Sequence, residues 1–193
     1  MRELITKETL LARYAEAKKL SGVRGEILLQ NVELVPGTNL SGLNLEGIKM
    51  RNCCLVGVNL CLTNLADADL SGADLTMANL NGADLHKANL RDANLRNATM
   101  KGTDVSDAVL SYANMYMVKM DKDTTLDGAE LFSADMRRAI LDGTDVSKVR
   151  MDSVKTEGMR SAELHYLNAL PEVKQQPSLK AVVMQERISK VRV

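Results

Sequence analysis

The chain of 193 residues contains no tryptophan and a single phenylalanine. Because 45% of its residues are nevertheless apolar, its core must be built from aliphatic side chains. No apolar run is long enough for a signal peptide or a membrane span, so we expect a cytoplasmic protein without membrane contact. Lysine plus arginine equals aspartate plus glutamate at 25 each, which implies no general polyanion partner and no direct binding of nucleic acid.

Sequence signatures of cofactor and metal sites are also missing. The chain has no glycine-rich phosphate loop, no CxxC pair and no HExxH motif, so we expect no cofactor and no metal. Its three cysteines are Cys53, Cys54 and Cys61. An odd number of cysteines without a signal peptide favours reduced thiols, with a disulfide or a metal site as the alternative.

An apolar residue recurs at every fifth position from Leu40 to Met120. Twelve leucines, four methionines and one valine fill these seventeen positions, and a second inward-type position, most often alanine, lies two residues before each. A helix repeats its apolar contacts near 3.6 residues and a strand near 2, so neither explains this period. The pattern therefore predicts a backbone that turns regularly every five residues.

Four such segments would close one coil of about twenty residues, a length typical of solenoids. Coils stacked about 4.8 Å apart would place Leu40, Leu60, Leu80, Met100 and Met120 in one internal column. Leucine and alanine would fill the axis to the density of a protein interior. A rod of this kind offers no concave site, so the pattern predicts a protein that is not an enzyme.

The repeated segments carry a family resemblance. The sequences ADLSG at residues 68–72 and ANLNG at residues 78–82 resemble the A(D/N)LXX signature of the pentapeptide repeat family, and the signature recurs over roughly residues 27–151. This resemblance implies an all-β solenoid, a right-handed quadrilateral β-helix with leucine and alanine inside. The leucine-rich style is similar to bacterial, especially cyanobacterial, members whose partners are mostly unidentified.

Two irregularities interrupt the period. A Pro-Gly pair at residues 36–37 adds one residue before Leu40, which predicts a turn or bulge after the first coil. A second added residue falls within residues 121–125, after which the period resumes at Leu126 and continues to Met151. This segment should protrude locally, either as a recognition feature or as a tolerated insertion.

The ends of the chain are expected to cover the solenoid with short helical caps. The sequence of residues 6–21 predicts a helix that has Thr6 as its N-cap and is ended by Gly22. This helix lies within an N-terminal cap of residues 1–22. The β-helix would occupy residues 23–156, and residues 157–193 would form a C-terminal cap and tail with a possible dimer contact. Within that tail we expect a helix at 161–170, a polar linker at 172–177 and a basic amphipathic helix at 178–193, although its valine-rich end also suits a strand.

A catalytic set deserves one test. Stacking places His86 one coil from Ser106 on an outer face, with Asp67, Lys87 and Asp107 in the next column. Neighbours at that spacing could form a serine, histidine and carboxylate group. A flat solenoid face does not exclude water, so we interpret His86 as a surface side chain and expect no catalytic residues.

The outward positions suggest a partner-binding patch. Tyrosine, phenylalanine, methionine and arginine anchor protein interfaces, and they recur here on two neighbouring faces. The alternative is that they are scattered surface residues covered by the C-terminal segment. The hypothesised patch consists of Arg96, Tyr112, Tyr116, Met117, Phe132, Arg137 and Arg138.

Two functions follow from these observations. The first is a non-enzymatic scaffold that binds a protein partner along its rigid outer faces, possibly as a homodimer through the C-terminal segment. The alternative is implied by the family, some of whose members mimic DNA and bind gyrase or another topoisomerase. That role needs a strongly acidic surface, whereas residues 38–151 contain 15 acidic against 12 basic residues, so the first function is favoured.

Overall fold

The computed structural model describes residues 2–19 and 29–160. Its regular elements are β1 (Glu3–Ile5), α1 (Lys7–Lys19), β2 (Val32–Leu34), β3 (Lys119–Asp121) and β4 (Ile140–Asp142). Most of the remaining chain forms tight turns joined by single β-bridges. The expected helices at 161–170 and 178–193 and the linker at 172–177 lie outside the described residues, as does Gly22. Of the expected C-terminal cap at 157–193, residues 157–160 are described, and they continue the coils, with Arg160 bridged to Ile140.

The bridges stack the chain into coils of twenty residues. Parallel bridges join Asn39 to Asn59, Asn59 to Asn79 and Asn79 to Thr99, and the other three positions of each coil follow the same rule. The backbone N–H of Leu60 donates to the Asn79 carbonyl at 2.7 Å, and the equivalent residues from Leu40 to Met115 make the same bond to the next coil at 2.7–2.8 Å. The predicted twenty-residue repeat is thus confirmed, with bridges continuing to Arg160.

The predicted inward positions form the core. All seventeen apolar residues from Leu40 to Met120 are buried, together with the alanines that precede them. Threonine takes the place of alanine at Thr63 and Thr103, and each buried hydroxyl donates to a carbonyl of the preceding coil, Leu40 or Leu80, at 2.9 and 2.7 Å. These hydrogen bonds satisfy polar groups that would otherwise be costly to bury.

The turns explain why glycine, asparagine and aspartate recur outside. The second residue after each inward apolar residue usually has a positive φ, as Gly72 and Asn97 do at 64° and 57°. Glycine adopts this left-handed conformation without steric cost, and asparagine and aspartate tolerate it. Leu62, Met77 and Tyr112 also occupy such positions, where a large side chain is disfavoured.

Both predicted irregularities appear as shifts in register. Glu33 bridges Cys54 and Asp104 bridges Thr125, each twenty-one residues on rather than twenty. At the second site β3 pairs in parallel with β4, and Lys122 and Asp123 are exposed while Thr124 is buried. One extra residue is therefore accommodated at a turn without breaking the stack.

The N-terminal segment packs on the first coils. Thr6 precedes α1 and its Oγ1 accepts a hydrogen bond from the Thr9 N–H at 3.3 Å, as expected for an N-cap. Leu10 and Tyr14 are buried, and the Tyr14 hydroxyl donates to the Glu46 carbonyl at 2.7 Å. Strand β1, which pairs in parallel with β2, was not predicted, because three residues with one buried side chain carry no period.

Within residues 2–19 and 29–160, no helix has the length and apolar character that crossing a membrane requires.

Candidate partner-binding surface

The seven residues of the hypothesised patch, called here the aromatic–arginine surface, project from turns of successive coils. Hydrogen bonds from Tyr112 N to the Phe132 carbonyl and from Met117 N to the Arg137 carbonyl, at 2.8 and 3.1 Å, place these turns one above the next. Tyr112, Met117 and Phe132 are 45, 39 and 43% exposed. The structure therefore brings the predicted residues into two neighbouring groups.

The first group is a stack of aromatic rings. Tyr112 and Phe132 meet edge to face, with ring centroids 5.4 Å apart and an interplanar angle of 80°. The guanidinium carbon of Arg91 lies 4.7 Å from the centre of the Tyr112 ring. Such aromatic and cation–π contacts hold both rings in position on the surface. Arg91 was not among the predicted patch residues, although its column position beside Tyr112 is visible in the sequence.

The second group is centred on Tyr116, which is half-buried. The guanidinium carbon of Arg96 lies 4.6 Å from its ring centre, and that of Arg138 lies 6.0 Å away. Arg96 comes from the preceding coil and Arg138 from the following one, as the bridges Asn94–Asn114 and Asn114–Asp135 show. One tyrosine thus organises two arginines from different coils.

The remaining arginine of the patch is neutralised within the chain. Arg137 donates two hydrogen bonds to Asp135, from Nε to Oδ1 at 2.9 Å and from a terminal nitrogen to Oδ2 at 2.7 Å. This fork lowers the pKa of Asp135 and raises the pKa of Arg137. Arg91 similarly lies 3.4 Å from the Asp92 carboxylate.

A strip of acidic residues lies half a coil away from Tyr116. Asp84 and Asp104 bridge in one column, and the neighbouring turns carry further carboxylates with only Lys87 and Lys148 among them. The carboxylates of this acidic strip are Glu46, Asp67, Asp84, Asp104, Asp107, Asp127 and Asp145. The net charge summed over the whole repeat region does not reveal that these acidic residues share one side of the coils.

The suspected catalytic residues do not form a catalytic relay. The Ser106 hydroxyl donates to Asp104 Oδ1 at 2.6 Å and lies 2.9 Å from His86 Nδ1. Because a hydroxyl has one proton, and Ser106 gives it to Asp104, His86 must donate to Ser106 rather than accept from it. A general base would have to accept that proton, so the contacts describe a surface hydrogen-bond network.

The cysteines are free thiols in different surroundings. Cys53 is buried, its thiol donates to the Leu29 carbonyl at 3.0 Å, and burial raises its pKa to about 11. Cys54 and Cys61 are half-buried. Among the described residues no three histidine, cysteine or carboxylate side chains are grouped as a metal site would require.

Stacked coils with columns of similar residues define a repeat solenoid, and a sequence comparison shows what its repeats resemble. The family described as Pentapeptide repeats matches in eight copies, over residues 37–65, 53–92, 63–102 and 88–122. Residues 37–122 thus match the pentapeptide repeats, and proteins with these repeats form right-handed β-helices. Proteins of this family are generally structural or interaction scaffolds.

Several solved structures are similar to this chain. HetL, a pentapeptide repeat protein involved in heterocyst differentiation regulation in the cyanobacterium Nostoc, is 25% identical, with 68% of this chain and 83% of that chain covered and a TM-score of 0.29. The plasmid-mediated fluoroquinolone resistance protein QnrB1 is 16% identical, with 76% of this chain and 88% of that chain covered and a TM-score of 0.30. A pentapeptide repeat protein of the Arabidopsis thaliana thylakoid lumen is 20% identical, with 86% of this chain and 97% of that chain covered and a TM-score of 0.27.

Comparison with curated proteins finds no match.

Proposed function

We propose that this protein is a non-enzymatic scaffold that binds a protein partner through its aromatic–arginine surface. The observation that supports this function most directly is the contact between exposed side chains of successive coils. Tyr112 packs on Phe132, and Tyr116 packs on Arg96 and Arg138, before any partner is bound. These are the residue types that contribute most to binding in protein interfaces.

Order in the free state favours binding. Association normally costs free energy because interface side chains lose rotamer freedom, about 0.5–1.5 kcal/mol for each flexible side chain that becomes fixed. The stacked rings and guanidinium groups have already lost part of that freedom, and the coils beneath them are hydrogen-bonded on both sides. The surface is therefore preorganised, and a partner that fits it gains affinity from that order.

The proposal also includes the shape of the coils, the caps at both ends and the location of the protein. We take the coils to be four-sided in cross-section, with one bridge position on each side, and α1 to cap the first coil through Leu10 and Tyr14. The C-terminal residues 157–193 would complete the far end or pair two copies of the chain. The protein would work in the cytoplasm, without a cofactor and without contact to membrane or nucleic acid.

Affinity capture from the native host tests this function. The intact protein, a triple variant with Tyr112, Tyr116 and Phe132 changed to alanine, and a control variant with Leu62, Lys87 and Asp107 changed to alanine would be compared by mass spectrometry. We expect the intact protein and the control to retain the same specific partner, and the triple variant to lose it. Equal capture by all three proteins would contradict the proposed surface.

A gyrase- or topoisomerase-binding DNA mimic is the second candidate, because the acidic strip supplies negative charge along the rod. Duplex DNA carries about one charge per 1.7 Å of its axis. The strip has little more than one carboxylate per coil, and coils lie about 4.8 Å apart. This density is well below that of DNA, so the scaffold function is the better supported one. Inhibition of gyrase supercoiling by the pure protein, abolished when the strip is neutralised, would reverse that order.

A further inference from the structure

Arg96 and Arg138 are held by the same aromatic ring. Their guanidinium carbons lie 4.6 and 6.0 Å from the centre of Tyr116, so the two groups cannot be farther apart than the sum of these distances. Both arginines are exposed, and Tyr116 is fixed by the backbone of its turn, where its N–H donates to Asn114 Oδ1 at 3.2 Å. The positions of the two positive charges are therefore linked through one side chain.

The hydrogen-bonding capacity of these two arginines is not used by a carboxylate. Within residues 2–19 and 29–160, neither Arg96 nor Arg138 forms an ion pair, whereas Arg137 pairs with Asp135 and Arg91 with Asp92. A guanidinium that rests its flat face on a ring still has five N–H donors along its edge. It also keeps its charge at every physiological pH. With respect to the described part of the chain, Arg96 and Arg138 are thus two unneutralised, partly oriented anion-binding groups.

We infer that Arg96 and Arg138 bind carboxylates of an acidic segment of the protein partner. This inference rests on the proposed function and assigns the chemistry that the partner must present. A carboxylate accepts two parallel hydrogen bonds from a guanidinium edge, and the fork geometry of arginine matches it. Stacking on Tyr116 reduces the rotamer freedom that each arginine loses when it engages the carboxylate.

The surroundings favour an acidic protein segment over the phosphates of a nucleic acid. Met117 lies beside Tyr116 in the same turn and is 39% exposed, and Tyr112 and Phe132 project from the neighbouring column. These apolar groups suit a peptide that alternates acidic with apolar residues. Nucleic acid binding instead requires a basic stripe that contacts many phosphates.

A peptide titration of the full chain tests this inference. The probe would be a short soluble peptide of glutamates and leucines, with a matched peptide in which every glutamate is glutamine. Binding would be followed by the NMR signals of arginine Nε–H groups and of tyrosine rings. The test variant changes Arg96 and Arg138 to glutamine, and the control changes Arg13 and Arg150 to glutamine, which removes equal charge from ion-paired arginines outside the aromatic–arginine surface.

We expect the glutamate peptide to bind the intact protein and to shift the signals of Arg96, Arg138 and Tyr116. The test variant should lose at least about tenfold in affinity, and the control about threefold or less, because its arginines are already paired. Changing Arg96 and Arg138 to lysine should give an intermediate loss, since lysine keeps the charge but not the fork.

Four results would overturn the inference. These are equal binding of the glutamine peptide, equal losses in the test and control variants, tighter binding of a single-stranded oligonucleotide than of the glutamate peptide, and no saturable binding up to millimolar concentration. None of these results decides the proposed function, because partner capture through Tyr112, Tyr116 and Phe132 is measured separately.

Discussion

The interior and the outer surface of this rod are built from the same five-residue unit. The inward residues hardly vary along the chain, whereas the outward residues do. From Leu40 to Met120 every fifth residue is leucine, methionine or valine, and all seventeen are buried. Outside, the acidic strip lies on one side, and the aromatic–arginine surface appears only in the later coils. The comparison indicates that the repeated interior supplies stability, while recognition depends on the few outward residues that break the repeat.

The largest effect should come from an interior substitution. Changing Leu80, which is fully buried, to alanine leaves a cavity between stacked coils and should lower the free energy of unfolding by about 2–5 kcal/mol. The same change at Leu62, which is 69% exposed, should cost less than about 0.5 kcal/mol. Chemical denaturation of both variants measures the difference, and similar losses at the two positions would refute the separation of interior from surface.

The buried carboxylate of Asp69 lies at the boundary between the interior and the outer surface, so its removal tests how much that boundary contributes to stability. Asp69 accepts hydrogen bonds from the Ser71 N–H and hydroxyl, at 3.1 and 2.7 Å, and forms an ion pair with Arg51. Changing Asp69 to alanine should cost about 1–3 kcal/mol, because these donors lose their acceptor. Asp92 is exposed, so alanine there should change stability by less than about 0.5 kcal/mol. An Asp69 variant as stable as the intact protein in a denaturant melt would show that this network adds nothing.

Acid should weaken the fold through the same carboxylate. Burial alone would raise the pKa of Asp69, but its hydrogen bonds and Arg51 outweigh that effect and lower it. The hydrogen bond from Arg137 lowers the pKa of Asp135 as well. A depressed carboxylate pKa stabilises the folded state above the unfolded value, near 4, and this contribution is lost as pH falls through the folded value.

Thermal melts between neutral pH and pH 2 check this dependence. The melting temperature should fall below about pH 4, and the Asp69→Asn variant should show a shallower fall, because it lacks one of the titrating groups. A variant that follows the acid profile of the intact protein would rule out Asp69 as a source of the pH dependence.

The smallest expected effect concerns large outward residues in strained turns. Met77 is 63% exposed and has φ of 58°, so changing it to glycine should raise stability by about 0.5–1 kcal/mol. Gly57 occupies the same turn position one coil earlier, with φ of 65° and only Gly37 N, at 3.9 Å, within 4 Å of an added Cβ. Alanine at Gly57 should therefore destabilise by about 1 kcal/mol. Opposite signs in paired melts support the interpretation, and two changes of the same sign contradict it.

The sequence predicted the interior more completely than the surface. The five-residue period was sufficient to predict the coils, and the added residues at 36–37 and 121–125 were sufficient to predict both register shifts. Strand β1 was missed because its pairing depends on a contact about thirty residues away. The charge balance of residues 38–151 also concealed the acidic strip, because the sum over the chain does not say which residues share a side.

The candidate site was predicted as a set of residues but not as a set of contacts. Column positions were enough to place Tyr116 near Arg96 and Arg138. Which arginine is neutralised depends on side-chain geometry, since Arg137 turns to Asp135 while its neighbour Arg138 turns to the ring. Sequence spacing alone contains no information on that choice.

Site-specific photo-crosslinking in the host tests the central proposal most directly. A photoreactive amino acid would replace Met117 on the aromatic–arginine surface in one variant and Asp107 on the acidic strip in another. We expect a specific partner to be cross-linked from position 117 and none from position 107. A partner cross-linked from position 107 alone would contradict the proposal and place recognition on the acidic strip.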